Sequence, residues 1–385
     1  MNSAKKCLRT PFKYARSFSD NAESKGLLRL DTGAPDFDTP VHIKNAAKRA
    51  LDEGFTQYSP VEGFRSLREA IAEKAKLENR IECDSEKEVI VTAGASSAVF
   101  CALFSLINPG DAVLTPDPGW PQYREITKLA GGSPVNYPLL EKDRFLVDPS
   151  HLRGRIDDKT RMIIINSPHN PTGSVATGGI LESIAEIAIK NDLTVISDET
   201  YEKIVFGGAR HISIAALDEM HERTITIGSL SKTYAMTGWR VGYAIAPKSF
   251  IDRMAKLLLY TNACCNTIAQ IASISALRGP HDCVSKMVAQ YEIRRDFMVK
   301  QLNAIRGIFC GTPDGCFFVF PKLDLHVDSM EFADYLSKTA KIAVKPGIAF
   351  GRHGERHVRI SCLAPISILK SAIEGIKKAV QTMSQ

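Results

Sequence analysis

Short apolar runs rich in β-branched residues alternate with longer helical patterns from about residue 64 onward. There are six such runs, and most of them show little apolar-polar alternation, which is typical of strands buried on both faces of a sheet. They cover residues 89–91, 113–115, 162–165, 194–197, 224–227 and 241–246. Helical patterns, such as those over 98–107 and 180–190, lie between them. This alternation predicts an α/β domain with a largely parallel sheet.

A second set of elements follows the last of these strands. The pattern predicts one long helix over 251–277 and a second over 283–305. It then predicts a hairpin-like segment at 316–320, a helix over 329–339, a strand over 357–361 and an amphipathic helix over 366–383. We interpret these elements as a smaller domain that the N-terminal segment joins. The expected division is an N-terminal arm and small-domain segment over 1–45, a large domain over 46–282 and a C-terminal small domain over 283–385.

Composition and charge exclude several classes of protein. The 385 residues are 44% hydrophobic, which is enough for a sizeable core and excludes global disorder. The net charge of +6 is spread along the chain, so no nucleic-acid or membrane-surface patch is expected. No apolar run reaches the roughly 18 residues of a membrane span. The nine cysteines lack a disulfide framework spacing, and we expect reduced thiols in a cytoplasmic protein.

Unusual residues come directly after the predicted strands, at the sheet edge where open α/β folds bind ligands. After the first strand, a turn of small residues containing Gly94, Ala95 and Ser96 opens a helix. Free N–H groups at such a helix start can bind an anion, although a helix cap without a ligand has the same pattern. After the third strand, Asn170 stands between prolines as a rigid amide. A ligand contact and a simple turn both fit this segment.

Charged and aromatic side chains at other strand ends indicate reaction chemistry. Asp198 is a carboxylate that needs a partner, either as a helix cap or beside a positively charged ring nitrogen. Lys232 also follows a buried strand, and a desolvated lysine attacks carbonyl groups to form Schiff bases. Ser229 and Arg240 beside such a lysine suit a phosphate. Trp120 offers a flat aromatic face, unless it packs on the surface as a loop residue.

Together these are the parts that a pyridoxal phosphate enzyme needs. The chain resembles the fold-type I pyridoxal phosphate enzymes of the class I/II aminotransferase family, and is aspartate aminotransferase-like. The matching segments are GAPDFDTP (33–40), YSPVEGFRSLREAIA (58–72), TAGASSAV (92–99), SPHNPTG (167–173), SDETY (197–201), SLSKTYAMTGWRVGY (229–243), PGIAFG (346–351) and HVRIS (357–361). The resemblance implies a large domain with a mostly parallel seven-stranded sheet between helices. It also implies a smaller α/β domain formed by the N- and C-terminal segments.

The resemblance implies a role for each matching residue at the cofactor ring. Lys232 is expected to form the Schiff base with pyridoxal 5'-phosphate and then to move the proton between Cα and C4′. Asp198 is expected to pair with the pyridinium nitrogen, which makes the ring an electron sink. Tyr201 and Asn170 are expected to hydrogen-bond the phenolic oxygen. Trp120 is expected to stack on the ring.

The same resemblance implies contacts to the phosphate and the substrate. The residues expected to hold the phosphate are Ala95, Ser96, Ser229 and Arg240. Arg359 is expected to bind the substrate α-carboxylate in a bidentate fork, with Gly33, Asn170 and Trp120 also at the substrate. Tyr58 matches a tyrosine that reaches the phosphate of the neighbouring subunit. The resemblance therefore implies a homodimer with shared active sites.

The implied function is transfer of the amino group of an α-amino acid to a 2-oxo acid, by a ping-pong mechanism through the Lys232 Schiff base. The alternative is a pyridoxal phosphate lyase or cyclase, which would use the same residues. Its reaction would be β- or γ-elimination, replacement or cyclisation of an amino acid. Ser96 stands where aspartate-selective relatives often carry a lysine, which puts a dicarboxylate preference in doubt.

Two other functions are weaker on sequence grounds. A transcription regulator with this fold would need a helix-turn-helix domain, for which the roughly 30 residues before GAPDFDTP are expected to be too few. The segment HGERH (353–357) has its glutamate in the wrong position for a zinc-binding HExxH motif, so no metal is expected.

Overall fold

The protein is described over residues 26–383 in a computed structural model. Most of the expected N-terminal arm, residues 1–25, lies outside the described residues. The described strands begin with β1 (Leu28–Arg29) and continue with β2 (Val89–Thr92), β3 (Ala112–Asp117), β4 (Ser133–Pro138), β5 (Thr160–Asn166), β6 (Thr194–Asp198), β7 (Thr224–Ser229) and β8 (Gly242–Ile245). Strands β2 to β8 form one seven-stranded sheet.

The order of strands in this sheet is β2-β8-β7-β6-β5-β3-β4. Only β8 runs antiparallel to its neighbours, so the sheet is mostly parallel, as the sequence predicts. The sequence pattern missed β4, which pairs in parallel with β3 at one edge. The prolines at 134 and 138 are tolerated there because an edge strand leaves part of its N–H positions unpaired.

Helices cover both faces of the sheet. They are α1 (Val41–Asp52), α2 (Arg65–Lys74), α3 (Ala95–Leu106), α4 (Pro121–Leu129), α5 (Pro149–Arg153), α6 (Gly178–Lys190), α7 (Leu230–Thr233), α8 (Lys248–Thr261) and α9 (Thr267–Arg278). The neighbours Ile163 and Ile164 of β5 belong to cores on opposite faces, the first shared with α6 and the second with α3 and α8. Both faces are therefore apolar, which explains why the strands lack an alternating pattern.

The single helix predicted over 251–277 is wrong, because the chain forms α8 and α9 with a break between them. Ala263 has φ +58°, a left-handed conformation that ends a helix. The Asn266 side chain then accepts a hydrogen bond of 2.8 Å from the N–H of Ala269 and caps the start of α9. An asparagine cap inside the apolar stretch was the sequence signal for this break.

The remaining elements form a second, smaller core. They are α10 (Asp282–Asn303), β9 (Ile308–Phe309), β10 (Phe318–Val319), β11 (Lys322–Leu323), α11 (Ser329–Tyr335), β12 (Ile342–Ala343), β13 (Lys345–Pro346), β14 (Val358–Ser361) and α12 (Ile366–Met383). Strand β1 pairs in parallel with β12, so the N-terminal segment joins this unit as expected. The hairpin-like segment at 316–320 is corrected to one strand, β10, which pairs antiparallel with the distant β14.

Helix α10 links the two units. Its Val284 packs in a core with α1 and α9, and its Met298 and Leu302 pack in the small core with α12. Within residues 26–383, no helix is both long and apolar enough to cross a membrane.

Candidate active site

A cavity of about 550 Å³, open solvent at its mouth included, lies at the carboxyl ends of the parallel strands. Nine of the twelve site residues predicted from the sequence line it. They are Ala95, Ser96, Trp120, Asn170, Asp198, Tyr201, Ser229, Lys232 and Arg240. Strand ends gather these residues because parallel strands place their carboxyl ends at one edge of the sheet.

Lys232 lies in α7, directly after β7. Its Nζ donates a hydrogen bond of 2.5 Å to the carbonyl oxygen of Gly33. A Cβ added to Gly33 would lie 3.0 Å from Phe318 Cζ, so a larger residue here would have to displace the Phe318 ring. Burial, with the positive charges of Arg359 and Arg240, lowers the pKa of Lys232 to about 8. A substantial fraction of the amine is therefore neutral and nucleophilic near physiological pH.

Asp198 ends β6 and is 6% exposed. Its Oδ1 accepts hydrogen bonds from Thr200 Oγ1 at 2.6 Å and from Thr200 N at 3.1 Å. Its Oδ2 accepts one from Tyr123 Oη at 2.5 Å. Burial raises the pKa of Asp198, and the donors from Thr200 and Tyr123 oppose that rise. A cation bound beside this carboxyl would favour its charged form further.

Tyr123 is a site residue that the sequence reasoning missed. It is 1% exposed and lies one helical turn after Trp120, at the start of α4. The two rings meet edge to face, with centroids 5.2 Å apart. Its hydroxyl connects this aromatic pair to Asp198. No local pattern in the sequence marks this residue, because its partner Asp198 lies 75 residues further along the chain.

The opposite end of the cavity suits an anion. Ala95 and Ser96 open α3 behind Gly94, which has φ +83°. Arg240 has φ +56°, and its Nη2 donates 3.2 Å to the carbonyl oxygen of Ala93. A Cβ on Gly94 would lie 2.4 Å from that Nη2, so a larger residue would displace the guanidinium. Free helix N–H groups and a guanidinium converge here, and both favour phosphate.

Arg359 lies on β14 beside the cavity and is buried. Its Nη1 donates 2.8 Å to Asn170 Oδ1 and its Nη2 donates 2.7 Å to the carbonyl oxygen of Asp31. The guanidinium lies over the rings of Phe318 and Phe350, 4.1 and 4.9 Å from their centroids. Burial lowers the pKa of Arg359 to about 10. Its Nε is buried without a hydrogen-bond partner among the described residues, so this cation has an unsatisfied donor and no anionic hydrogen-bond acceptor there.

Two tyrosines predicted for the site lie in different surroundings. Tyr201 lines the cavity, and burial raises the pKa of its hydroxyl. Tyr58 is 87% exposed and does not line the cavity of its own chain. The structure thus brings eleven of the twelve predicted residues to or beside one cavity and leaves Tyr58 on the surface.

Comparison with known proteins agrees with this geometry. The family model for aminotransferase class I and II matches residues 25–376. An aspartate aminotransferase of Pyrococcus abyssi is 42% identical over 96% of both chains. The solved aromatic aminotransferase of Pyrococcus horikoshii is 44% identical, covers 93% of this chain and 96% of its own, and has a TM-score of 0.91. The solved alanine aminotransferase of Pyrococcus furiosus is 32% identical, with coverages of 98% and 99% and a TM-score of 0.92.

The chain therefore belongs to the class I and II aminotransferase family. It is an enzyme that transfers nitrogenous groups with pyridoxal phosphate as its cofactor. The relatives favour transamination over the elimination or cyclisation that the shared site residues left open. The cavity fits the cofactor, because it offers an amine of lowered pKa between a buried carboxyl and an anion-binding end.

Proposed function

We propose that this cavity binds pyridoxal phosphate and moves the amino group of an α-amino acid to a 2-oxo acid in two half-reactions. The observation that carries the proposal is the buried Arg359. Its guanidinium donates to neutral acceptors, and its Nε has no hydrogen-bond partner within residues 26–383. A buried cation of this kind needs an anionic partner, and an α-carboxylate matches its fork. The Arg359 guanidinium lies close to the Lys232 amine, whose pKa is lowered. The two side chains donate to the carbonyl oxygens of Asp31 and Gly33, which are two residues apart in the chain.

The residues divide between the ends of the cofactor. Lys232 would hold its aldehyde, and Asp198 would bind the ring nitrogen and keep it protonated. The phosphate would be held by Ala95, Ser96, Ser229 and Arg240. Trp120 would stack on the ring, and Tyr201 with Asn170 would hydrogen-bond its phenolic oxygen. When bound, the cofactor supplies a carbonyl carbon for the amino group and a ring that withdraws electrons from Cα.

The substrate would enter between Arg359 and Lys232. The guanidinium fixes the α-carboxylate, and the backbone of Gly33 leaves room for the substrate beside Phe318. Lys232 would be the base that removes the proton from the substrate Cα, since its side chain lies in the cavity and its lowered pKa, about 8, leaves part of the amine neutral. Asp198 would stabilise the positive charge of the protonated ring nitrogen. Thr200 already holds the carboxylate in place, so it needs no reorientation during the reaction.

We further propose a homodimer in which Tyr58 reaches the phosphate of the neighbouring site. Three large side chains are exposed in the single chain: Tyr58 at 87%, Tyr260 at 85% and Leu259 at 49%. A subunit interface would remove their apolar surface from water, which supports this assembly. Sedimentation at several protein concentrations tests it, and a monomer that stays fully active would contradict it. A cytoplasmic location remains part of the proposal, supported by the free thiols of the cysteines in residues 26–383.

The domain division at 45 and 282 also remains a proposal. Helix α1 spans Val41–Asp52 and packs on α9, so the first boundary falls inside an element of the large unit. The second boundary coincides with the start of α10 at Asp282. Limited proteolysis between the two units would test the division.

The activity is tested by mixing the holoenzyme with one amino acid at a time, without a 2-oxo acid. Transamination predicts that the cofactor absorbance changes from its aldehyde to its amine form and that one equivalent of 2-oxo acid appears. Product formed over many turnovers would instead indicate a lyase or cyclase. The relatives bear the names of aspartate, aromatic and alanine enzymes, so the panel should include all three donor types.

The attachment residue needs a separate test that does not depend on turnover. Borohydride reduction of the holoenzyme should fix the cofactor on the peptide that contains Lys232. Lys232→Ala should lose this mass increment. Lys248→Ala, which removes an exposed lysine paired with Asp252, is the control and should keep it. A label on another peptide would refute the assignment.

A further inference from the structure

A buried network of charged side chains adjoins the segment 198–202, which carries two of the proposed cofactor contacts. Asp198, Thr200 and Tyr201 line the cavity, whereas Glu199 and Glu202 do not. Building on the proposed function, we propose that Lys74 and His211 are positioning residues for the reaction. They hold Glu202 and Glu199, and thereby keep Asp198 and Tyr201 in place against the cofactor.

Glu199 is 2% exposed, and both of its carboxylate oxygens have side-chain partners. Its Oε1 accepts hydrogen bonds from Ser197 Oγ at 2.8 Å and from Ser213 Oγ at 2.7 Å. Its Oε2 lies 2.9 Å from His211 Nε2. The residue that follows Asp198 in the chain is therefore fixed by three side chains. One of them, His211, belongs to a segment beyond the cavity.

Glu202 is anchored from a different direction. It forms an ion pair with Lys74 at the end of α2 and accepts a hydrogen bond of 2.8 Å from Asn79 Nδ2. Lys74 lies 3.7 Å from Glu78, which in turn pairs with Lys203 at 2.7 Å. The residue after Tyr201 is thus held from the helix that precedes the sheet.

The charges of this network balance only when His211 is protonated. Three carboxylates, on Glu78, Glu199 and Glu202, face the ammonium groups of Lys74 and Lys203. Glu199 raises the pKa of His211 against the effect of burial, with Glu202 acting in the same direction and Lys74 opposing it. Protonation of this imidazole would supply a third cation beside the three carboxylates.

A metal ion is the other occupant that this cluster suggests. Ligand atoms of Glu199, Glu202 and His211 lie within 4.8 Å of one another. The ammonium of Lys74 already contacts Glu202, however, and supplies the positive charge that a metal would bring. We therefore assign the stabilising cations to side chains of the protein.

The test compares His211→Gln and Lys74→Met with His221→Gln in the holoenzyme. His221 is a matched control, because its Nε2 also pairs with a glutamate. That partner is Glu88, 3.3 Å away, which is not part of the segment 198–202. The readouts are the pH midpoint of the cofactor absorbance and the single-turnover rate with an amino acid. In His211→Gln and Lys74→Met, we expect Tyr201 to lose its hydrogen bond to the phenolic oxygen. The pH midpoint should then rise by about half a unit or more, and the single-turnover rate should fall about tenfold.

The control His221→Gln should change neither the pH midpoint nor the single-turnover rate. An unchanged midpoint in folded His211→Gln and Lys74→Met would overturn the proposal. If these variants do not fold, Ser213→Ala decides, because it removes only the 2.7 Å contact to Glu199 and keeps the charge balance. A smaller rise of the midpoint supports positioning, and the wild-type value refutes it. A wild-type protein without a cofactor absorbance would instead overturn the proposed function, and this inference with it.

Discussion

Replacement of Tyr123 by phenylalanine isolates one hydrogen bond to the proposed partner of the cofactor ring. The hydroxyl donates 2.5 Å to Asp198 Oδ2, and the two side chains are 1% and 6% exposed. Tyr123→Phe keeps the aromatic ring and its edge-to-face contact with Trp120. The variant therefore removes a donor from a buried carboxylate with little change in packing.

The magnitude follows from the environment of the bond. A hydrogen bond to a charged group contributes about 1.5–3 kcal/mol. Thr200 still donates two hydrogen bonds to the other carboxylate oxygen, so we expect the lower end of that range. About 1.4 kcal/mol corresponds to a tenfold change in rate, and the half-reaction should slow about tenfold. The loss should grow at acidic pH, because without the Tyr123 donor the pKa of Asp198 rises further.

The assay is a stopped-flow measurement of the first half-reaction, followed by the absorbance of the bound cofactor. Tyr137→Phe is the matched control, since Tyr137 is also 1% exposed and its hydroxyl donates 2.8 Å to the carbonyl oxygen of Ile164. We expect a normal rate in that variant. A wild-type rate in Tyr123→Phe, or an equal loss in Tyr137→Phe, would refute the reasoning.

Three further predictions follow from the same geometry. Arg359→Lys should raise the KM for the amino acid about a hundredfold with a smaller effect on cofactor affinity, because a lysine cannot form the bidentate fork; equal losses in both would contradict a substrate role. Reconstitution of the apoenzyme should accelerate as pH rises through about 8 and then level off, because only the neutral amine of Lys232 reacts; a flat stopped-flow profile would argue against it. Gly94→Ala should weaken cofactor binding about tenfold or more in an equilibrium titration, since the added Cβ would lie 2.4 Å from Arg240 Nη2 and displace it; Gly110→Ala, at an open position with a similar φ of +93°, controls for backbone strain.

The sequence by itself determined the layered α/β class and most of the candidate site. The strands were recognisable because both faces of the sheet are apolar, so burial appears directly as unbroken apolar runs. The residues after those strands could be grouped from the chain order alone, because parallel strands bring their carboxyl ends to one edge. Lys232 and Asp198 were identifiable since charges at buried strand ends need a partner or a reaction.

Only the tertiary structure decided the features that depend on contacts between distant segments. The edge strand β4 carries prolines and lacks the apolar run of a buried strand, and the partner of β10 was a segment far along the chain. The contact of Tyr123 with Asp198 and the pairing of Glu199 with His211 have no local signature either. Hydrophobic periodicity records how deeply each segment is buried, whereas the partner of a buried polar group is set by how the segments pack together.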